Sequence, residues 1–285
     1  MNRIEVKELT KRYGETLALD NISLFLEEDK IYGLLGRNGA GKTTLLNLMT
    51  NKIFPTNGQI FIGGAPVHEN NWALSRIFYM SEQNLYPPSS RVMNMFKWTG
   101  EFYRGFDLDY ALRLAERFEL NTRKKMKELS TGYASIFKAI LTLASGAEIL
   151  LFDEPILGLD PIHRDMLYKE ILANYIEHPK TIILSTHLID EIADILEEVM
   201  IIKNGKLIIK QPTEELLASA YMVSGEVAKV DQYIKGKNCV GEETLHNSKS
   251  IIVLAGERDD SLARSLDLTL GKVELQKLFI GLTSA

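Results

Sequence analysis

The residues with the plainest chemical meaning form a glycine-rich run, Gly36-Arg37-Asn38-Gly39-Ala40-Gly41-Lys42-Thr43, which fits the spacing G-x-x-x-x-G-K-[ST]. Triphosphate oxygens need several converging donors, and glycines allow backbone N–H groups to curl around them at the start of a helix. Lys42 would reach the β- and γ-phosphates, Thr43 would hold Mg²⁺, and Thr44 would add a phosphate contact. The predicted nucleotide-binding residues of this run are Gly36, Asn38, Gly39, Ala40, Gly41, Lys42, Thr43 and Thr44.

A second chemical feature is an apolar segment that ends in two adjacent carboxylates, Ile149-Leu150-Leu151-Phe152-Asp153-Glu154. Asp153 is placed to hold Mg²⁺ through its water shell. Glu154 can orient and deprotonate a water that attacks the γ-phosphate, which is work suited to a carboxylate. Four apolar residues followed by Asp-Glu are a weak signal alone, but they become a strong one downstream of a phosphate loop.

Strands and helices in a particular order must position these residues. Residues 31–35 predict a mostly apolar strand that stops at Gly36, and residues 42–49 predict the helix that follows the glycine loop. Residues 149–152 and 181–184 predict two near-continuous apolar strands, separated by a helix from about residue 161 to 176. Strands that are buried on both faces and alternate with helices indicate a largely parallel α/β core.

The sequence predicts further parts outside that core. Alternating apolar residues at the amino-terminal end predict strands with one buried face. Helical spacing from about residue 92 to 144 predicts a helical subdomain over about residues 84–147. Asn204-Gly205 predicts a hairpin turn, after which the main domain, residues 1–212, ends. Residues 213–285 then form a small α+β accessory domain that strengthens dimerisation, or alternatively a regulatory module.

Composition and charge limit the possible partners. The chain has 285 residues, 45% hydrophobic and 25% charged, which is ordinary for a globular protein. A net charge of -5 argues against nucleic acid as the main partner, because nucleic-acid-binding proteins usually present a basic face. The amino-terminal residues lack the apolar stretch of a signal peptide, and no segment reaches the ~20 apolar residues that span a bilayer. Any membrane role is therefore expected to need an embedded partner.

The order of several short motifs resembles that of an ABC ATPase domain. After the phosphate loop come a glutamine, Leu-Ser-x-Gly, Asp-Glu-Pro, Gly-Leu-Asp-Pro and Ser-Thr-His, and the resemblance covers about the first 210 residues. It implies an α/β P-loop NTPase core with a mostly parallel sheet, antiparallel amino-terminal strands and the helical subdomain. It also implies ATP as the nucleotide, Mg²⁺ as the metal cofactor and ATP hydrolysis as the reaction.

The resemblance assigns roles to three further side chains. Gln83 matches the glutamine that senses Mg²⁺ and the attacking water and links to the membrane partner, so it joins Thr43 and Asp153 at the metal. His187 matches the histidine that contacts the γ-phosphate, and the implied catalytic set is Glu154, His187 and Gln83. Tyr13 lies where the family stacks an aromatic ring on adenine, and the alternative is a tyrosine that only packs.

Leu129-Ser130-Thr131-Gly132-Tyr133 matches the family's signature, which is usually Leu-Ser-Gly-Gly-Gln. By this resemblance, Ser130, Thr131 and Gly132 would contact the γ-phosphate held by the opposite subunit, at a helix start whose dipole favours an anion. Asp160, in Gly-Leu-Asp-Pro, would cross the same interface. The resemblance therefore implies a dimer, because one chain cannot close its own site. The tyrosine that replaces the usual glutamine cannot reproduce its paired hydrogen bonds.

The Leu-Ser-Thr-Gly-Tyr variant and the ending Val-Glu-Leu-Gln-Lys-Leu-Phe resemble ABC-2-type exporters of Gram-positive bacteria. That subgroup includes subunits linked to acetoin, to cell-wall antibiotic response and to export of amphipathic toxin peptides, the phenol-soluble modulins. The resemblance implies an exporter of peptides or other amphipathic compounds at the cytoplasmic face of the membrane. Its partners would be an integral membrane subunit and a second ATPase subunit, with a homodimer favoured over a heterodimer. The alternative is a soluble ABC ATPase without a membrane partner.

The sequence is compatible with two roles for each of two apolar segments. Leu85-Tyr86-Pro87-Pro88, a stiff loop just after Gln83, either lines a groove for the membrane partner or caps the helical subdomain. The aromatic residues between positions 96 and 106 either face a partner or form a satellite core inside that subdomain.

Overall fold

The computed structural model describes residues 3–256 and 258–284, which form two compact units. The larger unit runs to His187 and includes Ile202–Ile208. The smaller unit comprises Leu188–Ile201 and continues from Ile209. The predicted domain boundary at residue 212 stays a prediction.

Strands and helices alternate through the chain up to residue 212. The strands are β1 (Ile4–Tyr13), β2 (Thr16–Leu26), β3 (Ile31–Leu35), β4 (Asn57–Ile62), β5 (Ala65–Pro66), β6 (Ile77–Met80), β7 (Ile149–Asp153), β8 (Thr181–Ser185), β9 (Glu198–Lys203) and β10 (Lys206–Pro212). The helices are α1 (Lys42–Met49), α2 (Asn71–Leu74), α3 (Val92–Phe102), α4 (Leu108–Arg117), α5 (Thr131–Ala144) and α6 (Pro161–Glu177).

The amino-terminal strands form an antiparallel sheet in the order β2-β1-β4-β5. Ile4 of β1 pairs with Leu26 of β2 on one side and with Ile62 of β4 on the other. All three side chains are buried, which is the single buried face that the alternating pattern predicts.

The site depends on four parallel strands that lie side by side in the order β3-β8-β7-β6. Every residue of β3, β7 and β8 is buried, as expected for strands covered on both faces. Ser185, the last residue of β8, is in register with Leu34 of β3 and with Asp153 of β7. The loops that follow these strands therefore start at one edge of the sheet, and the predicted α/β fold is confirmed.

Helices α3, α4 and α5 lie in the predicted helical region, and α5 is buried from Ser135 to Ala144. The rings of Phe96 and Phe137 are stacked with centroids 5.9 Å apart, and Phe96 also contacts Phe106. Trp98 and Phe102 are instead exposed. The aromatic segment between positions 96 and 106 thus supplies both a satellite core and an exposed face.

Strands β9 and β10 form a hairpin whose turn contains the predicted Asn204-Gly205 pair. Their φ angles are +50° and +76°, the left-handed conformation that asparagine and glycine tolerate best. The N–H of Gly205 donates to the carbonyl of Ala40 at 3.0 Å, so this turn supports the glycine-rich loop.

The smaller unit contains an antiparallel sheet in the order β12-β13-β11-β14. Its core includes Val223, Val230, Tyr233 and Val253. No helix in the described part of the chain is both long and apolar enough to cross a membrane. The strands are β11 (Ala220–Glu226), β12 (Asn238–Leu245), β13 (Ser248–Leu254) and β14 (Thr269–Gly271), and the helices are α7 (Thr213–Ala218), α8 (Val227–Tyr233), α9 (Asp260–Ser265) and α10 (Leu275–Ser284).

Candidate nucleotide-binding site

The glycine-rich loop joins buried strand β3 to helix α1. Gly39 and Gly41 have φ angles of +80° and +114°, which a residue with a Cβ adopts only under strain. A Cβ on Gly41 would also lie 2.7 Å from the carbonyl oxygen of Ala18, so glycine is needed there for space as well as for conformation. The first backbone N–H groups of α1 have no acceptor within the helix, which suits them to hold an anion.

Lys42 begins α1 and is buried, with its ammonium group donating to the carbonyl of Gly36 at 2.6 Å. Burial lowers the pKa of Lys42 because it opposes the charged form, while the nearby Glu154 and Asp153 carboxylates act in the opposite direction. Thr43 is exposed beside it. The end of the loop therefore places the Lys42 ammonium group near a pair of carboxylates and presents an exposed hydroxyl at the next residue.

Asp153, the last residue of β7, is fully buried. Its Oδ2 accepts a hydrogen bond from the Tyr79 hydroxyl at 3.1 Å, and burial followed by the Asp153 charge raises the pKa of Tyr79. Its Oδ1 has no hydrogen-bond partner among the residues that the structure describes. A buried carboxylate oxygen without a donor is costly unless a cation or its water shell satisfies it. Asp153 therefore fits a Mg²⁺ ion, which prefers such hard oxygen ligands.

Glu154 follows β7 with a φ of +50°, and its N–H donates a hydrogen bond to the carbonyl of Ser185 at 2.8 Å. Its Oε2 lies 2.9 Å from Nδ1 of His187, which is exposed just beyond β8. The structure thus brings two of the predicted catalytic residues into direct contact. Gln83 is exposed in the loop after β6 and makes no hydrogen bond within residues 3–256 and 258–284.

The signature residues lie at the start of α5, where the Ser130 hydroxyl caps the helix by accepting from the Tyr133 N–H at 3.3 Å. A Cβ on Gly132 would lie 2.5 Å from the carbonyl oxygen of Gly158, so the two backbones touch. Asp160 caps α6 by accepting at 3.0 Å from the N–H groups of Ile162 and His163, and these backbone bonds lower its pKa. Ser130, Thr131 and Asp160 are exposed. The structure therefore joins the signature to the Asp160 loop.

Comparison with known proteins identifies the family. A family model described as ABC transporter matches residues 19–157. The ABC transporter ATP-binding protein YtrB of Bacillus subtilis is 30% identical over 213 residues, which cover 75% of this chain and 73% of that protein. This chain belongs to the ABC transporter family, as an ATP-binding subunit.

Two further comparisons agree with that assignment. The Nod factor export ATP-binding protein I of Cupriavidus metallidurans is 27% identical over 222 residues, covering 76% of this chain and 73% of that protein. The solved dimeric structure of a bacterial ABC transporter cassette is 25% identical with a TM-score of 0.66, covering 74% of this chain and 98% of the cassette. The predicted ABC ATPase fold is confirmed, and this ABC subunit binds and hydrolyses ATP.

Tyr13 of this ABC subunit ends β1, and its ring is about half exposed. The ammonium group of Lys11 lies 4.9 Å from the ring centroid. The paired strand β2 places Ala18 against Gly41, so this hairpin adjoins the phosphate loop. Stacking of Tyr13 on adenine stays a prediction.

Sequence reasoning missed two residues of the ABC subunit that support the site. Lys138 of α5 is buried, and its ammonium group donates to the carbonyls of Ser81 and Glu82 at 2.8 and 2.7 Å, just before Gln83. Burial lowers the pKa of Lys138. Tyr79, on β6, is the hydrogen-bond donor to Asp153. A charged residue inside the apolar face of α5 was a usable signal for Lys138, whereas Tyr79 lay in a strand with no distinguishing pattern.

Gly132→Ala is expected to destabilise this ABC subunit by about 1–3 kcal/mol, the usual cost of overpacking. The added methyl would meet the Gly158 carbonyl, a backbone atom that cannot rotate away. Denaturant unfolding measures the change. Gly100→Ala is the matched control, because Gly100 lies within α3 with no contact nearer than 3.5 Å and alanine favours helices. A Gly132→Ala protein as stable as the wild type would contradict the close contact between signature and Asp160 loop.

Proposed function

We propose that this chain is one of two identical ATPase subunits that drive an exporter of peptides or other amphipathic compounds from the cytoplasmic face of a membrane. The main support for the ATPase role is that three features lie together at the carboxyl ends of β3, β7 and β8. They are the phosphate loop, the buried Asp153 and the contact between Glu154 and His187. Ligands of parallel α/β sheets bind at this edge, where loops after neighbouring strands converge.

Binding of ATP is assigned to the loop and to Lys42. The backbone N–H groups of residues 36–44 surround the phosphates, and Lys42 exchanges its bond to the Gly36 carbonyl for the β- and γ-phosphate oxygens. The exposed ring of Tyr13 stacks on the adenine. Thr43, Asp153 and Gln83 would hold Mg²⁺, which would supply positive charge against the phosphates.

Hydrolysis is assigned to Glu154 with His187. Glu154 accepts a proton from water as the water oxygen bonds to the γ-phosphorus, and the bond from that phosphorus to the β–γ bridging oxygen breaks. The bridging oxygen keeps the electron pair, so the products are ADP and phosphate. His187 lies 2.9 Å from the Glu154 carboxylate, which allows it to hold that group in place and reach the γ-phosphate.

A second copy of the chain is proposed to complete each site. Ser130 and Thr131 are exposed at the start of α5, where the helix dipole favours an anion. Asp160 lies on the loop that touches Gly132, so both segments can reach a partner subunit from one surface. A homodimer suffices because one chain carries every predicted catalytic and signature residue, and the similar solved cassette is dimeric.

The docking site for the membrane subunit is proposed to be an aromatic groove of about 480 Å³ beside α3. Tyr86, Pro87, Met95, Trp98 and Phe102 line it. Phe102 is 83% exposed and Trp98 is 45% exposed, and large apolar side chains at the surface mark interaction sites. Tyr86 and Pro87 belong to the loop after Gln83, so a membrane-subunit helix in this groove would contact the loop that responds to ATP.

Export is supported by the Leu-Ser-Thr-Gly-Tyr signature variant and by the relative named for Nod factor export. The preference for amphipathic compounds depends on the same signature resemblance. Neither the site geometry nor the groove selects a substrate, since the transported molecule meets the membrane subunit.

In cells that produce the protein, Phe102→Glu is expected to shift most of it from the membrane fraction to the soluble fraction. The substitution puts a charge into the apolar groove that is proposed to bind the membrane subunit. Those cells should also become as sensitive to amphipathic peptides as cells carrying Glu154→Gln. Fractionation and growth inhibition measure the two effects. Phe25→Glu, at an exposed phenylalanine of β2 outside the groove, is the control. A wild-type chain found only in the supernatant would favour the soluble ABC ATPase, and unchanged peptide sensitivity would contradict export of such compounds.

A further inference from the structure

A tyrosine on the strand next to β7 holds one oxygen of the buried Asp153 carboxylate. Tyr79 and Asp153 lie on the parallel neighbours β6 and β7, whose register pairs Met80 with Phe152. The Tyr79 hydroxyl donates to Oδ2 of Asp153 at 3.1 Å. Within the described residues, Oδ1 of the same carboxylate has no donor. The two oxygens of this group are therefore in different environments.

We propose that Tyr79 is a positioning residue for the metal. Its hydroxyl donates a hydrogen bond to Oδ2 of Asp153 and so orients the carboxylate with Oδ1 available to Mg²⁺ or to the water shell of the ion. The inference rests on the proposed function, which assigns Asp153 to the metal. Hydrogen bonds from outer partners to metal-binding carboxylates fix their orientation and tune their affinity.

The surroundings of Tyr79 suit this role better than simple packing. The ammonium group of Lys52 lies 4.4 Å from the centroid of the Tyr79 ring, a cation–π contact that restricts the ring. A phenylalanine would fill the same space and keep the contact with Lys52. The hydroxyl supplies the bond to Asp153, so removing it tests positioning apart from packing.

The experiment measures Mn²⁺ binding to the ATP complex by electron paramagnetic resonance, in full-length protein carrying Glu154→Gln so that ATP stays intact. Tyr79→Phe is expected to weaken Mn²⁺ binding by about 10- to 100-fold, the usual effect of losing an outer-shell partner. Binding of ATP in EDTA should not change. Tyr110→Phe is the matched control, because Tyr110 donates at 2.7 Å to another buried carboxylate, Glu170, and should leave Mn²⁺ affinity unchanged.

A double-mutant cycle with Asp153→Asn separates positioning from a general structural effect. If Tyr79 acts through Asp153, Tyr79→Phe causes no further loss of Mn²⁺ affinity once Asp153 is replaced. An equal loss in both backgrounds would overturn the inference, as would wild-type Mn²⁺ affinity in Tyr79→Phe alone. If Asp153→Asn itself left Mn²⁺ binding unchanged, the assignment of Asp153 to the metal would fail, and the inference with it.

Discussion

Replacing Glu154 by glutamine is expected to slow ATP hydrolysis by about 10²- to 10⁴-fold, the range that a general base contributes. The amide keeps the size of the side chain and can still hydrogen-bond His187, which lies 2.9 Å away, but it cannot accept a proton from water. Phosphate release measures the rate. Purified wild-type protein is expected to hydrolyse ATP slowly, because the proposed membrane subunit is absent from the assay.

The same variant tests the shared site. Because the glutamine variant binds ATP without cleaving it, it is expected to dimerise when Mg²⁺ and ATP are added, and light scattering measures the change in mass. Glu148→Gln is the control, since Glu148 precedes β7 at the opposite end of the strand and pairs with Arg76. Hydrolysis at the wild-type rate by Glu154→Gln would show that another group is the base. A monomer with ATP bound would mean that Ser130 and its neighbours do not close the site.

Lys42→Met is expected to weaken ATP binding on the order of 100-fold, because charge-assisted hydrogen bonds to phosphate are lost. The nucleotide-free protein should unfold at nearly the same denaturant concentration. Lys42 is buried, and desolvation opposes its charge, which is why its pKa is lowered. Methionine has a similar length and removes that desolvation cost. Titration with a fluorescent ATP analogue measures the affinity.

The matched control for Lys42→Met is Lys180→Met. Lys180 is also buried, and burial also lowers its pKa, but it lies just before β8, at the end of the sheet away from the phosphate loop. Its replacement should leave ATP affinity unchanged. Equal losses of affinity in the two variants would indicate a general effect of removing a buried cation, and would contradict the phosphate role of Lys42.

The sequence allowed the local parts of the site to be predicted well. The phosphate loop depends on glycines at fixed spacing, since each glycine either adopts a positive φ or lets another backbone approach. Apolar runs such as residues 149–152 indicated strands that are buried on both faces, and the structure confirms them. That Glu154 and His187 belong to one site followed from the resemblance alone, because 33 residues separate them, and the direct contact between them comes from the structure. The catalytic roles themselves remain predictions.

Only the tertiary structure decided which residues support the site from a distance. The Tyr79–Asp153 hydrogen bond depends on the register of two parallel strands whose residues are 74 positions apart, and no local pattern encodes that register. Lys138 reaches the loop before Gln83 only because α5 packs against that loop. Position 132 requires a glycine only because the Gly158 backbone lies against it. Local spacing thus specified which groups can bind phosphate. Packing between distant segments, which composition and periodicity do not record, determined how those groups are held.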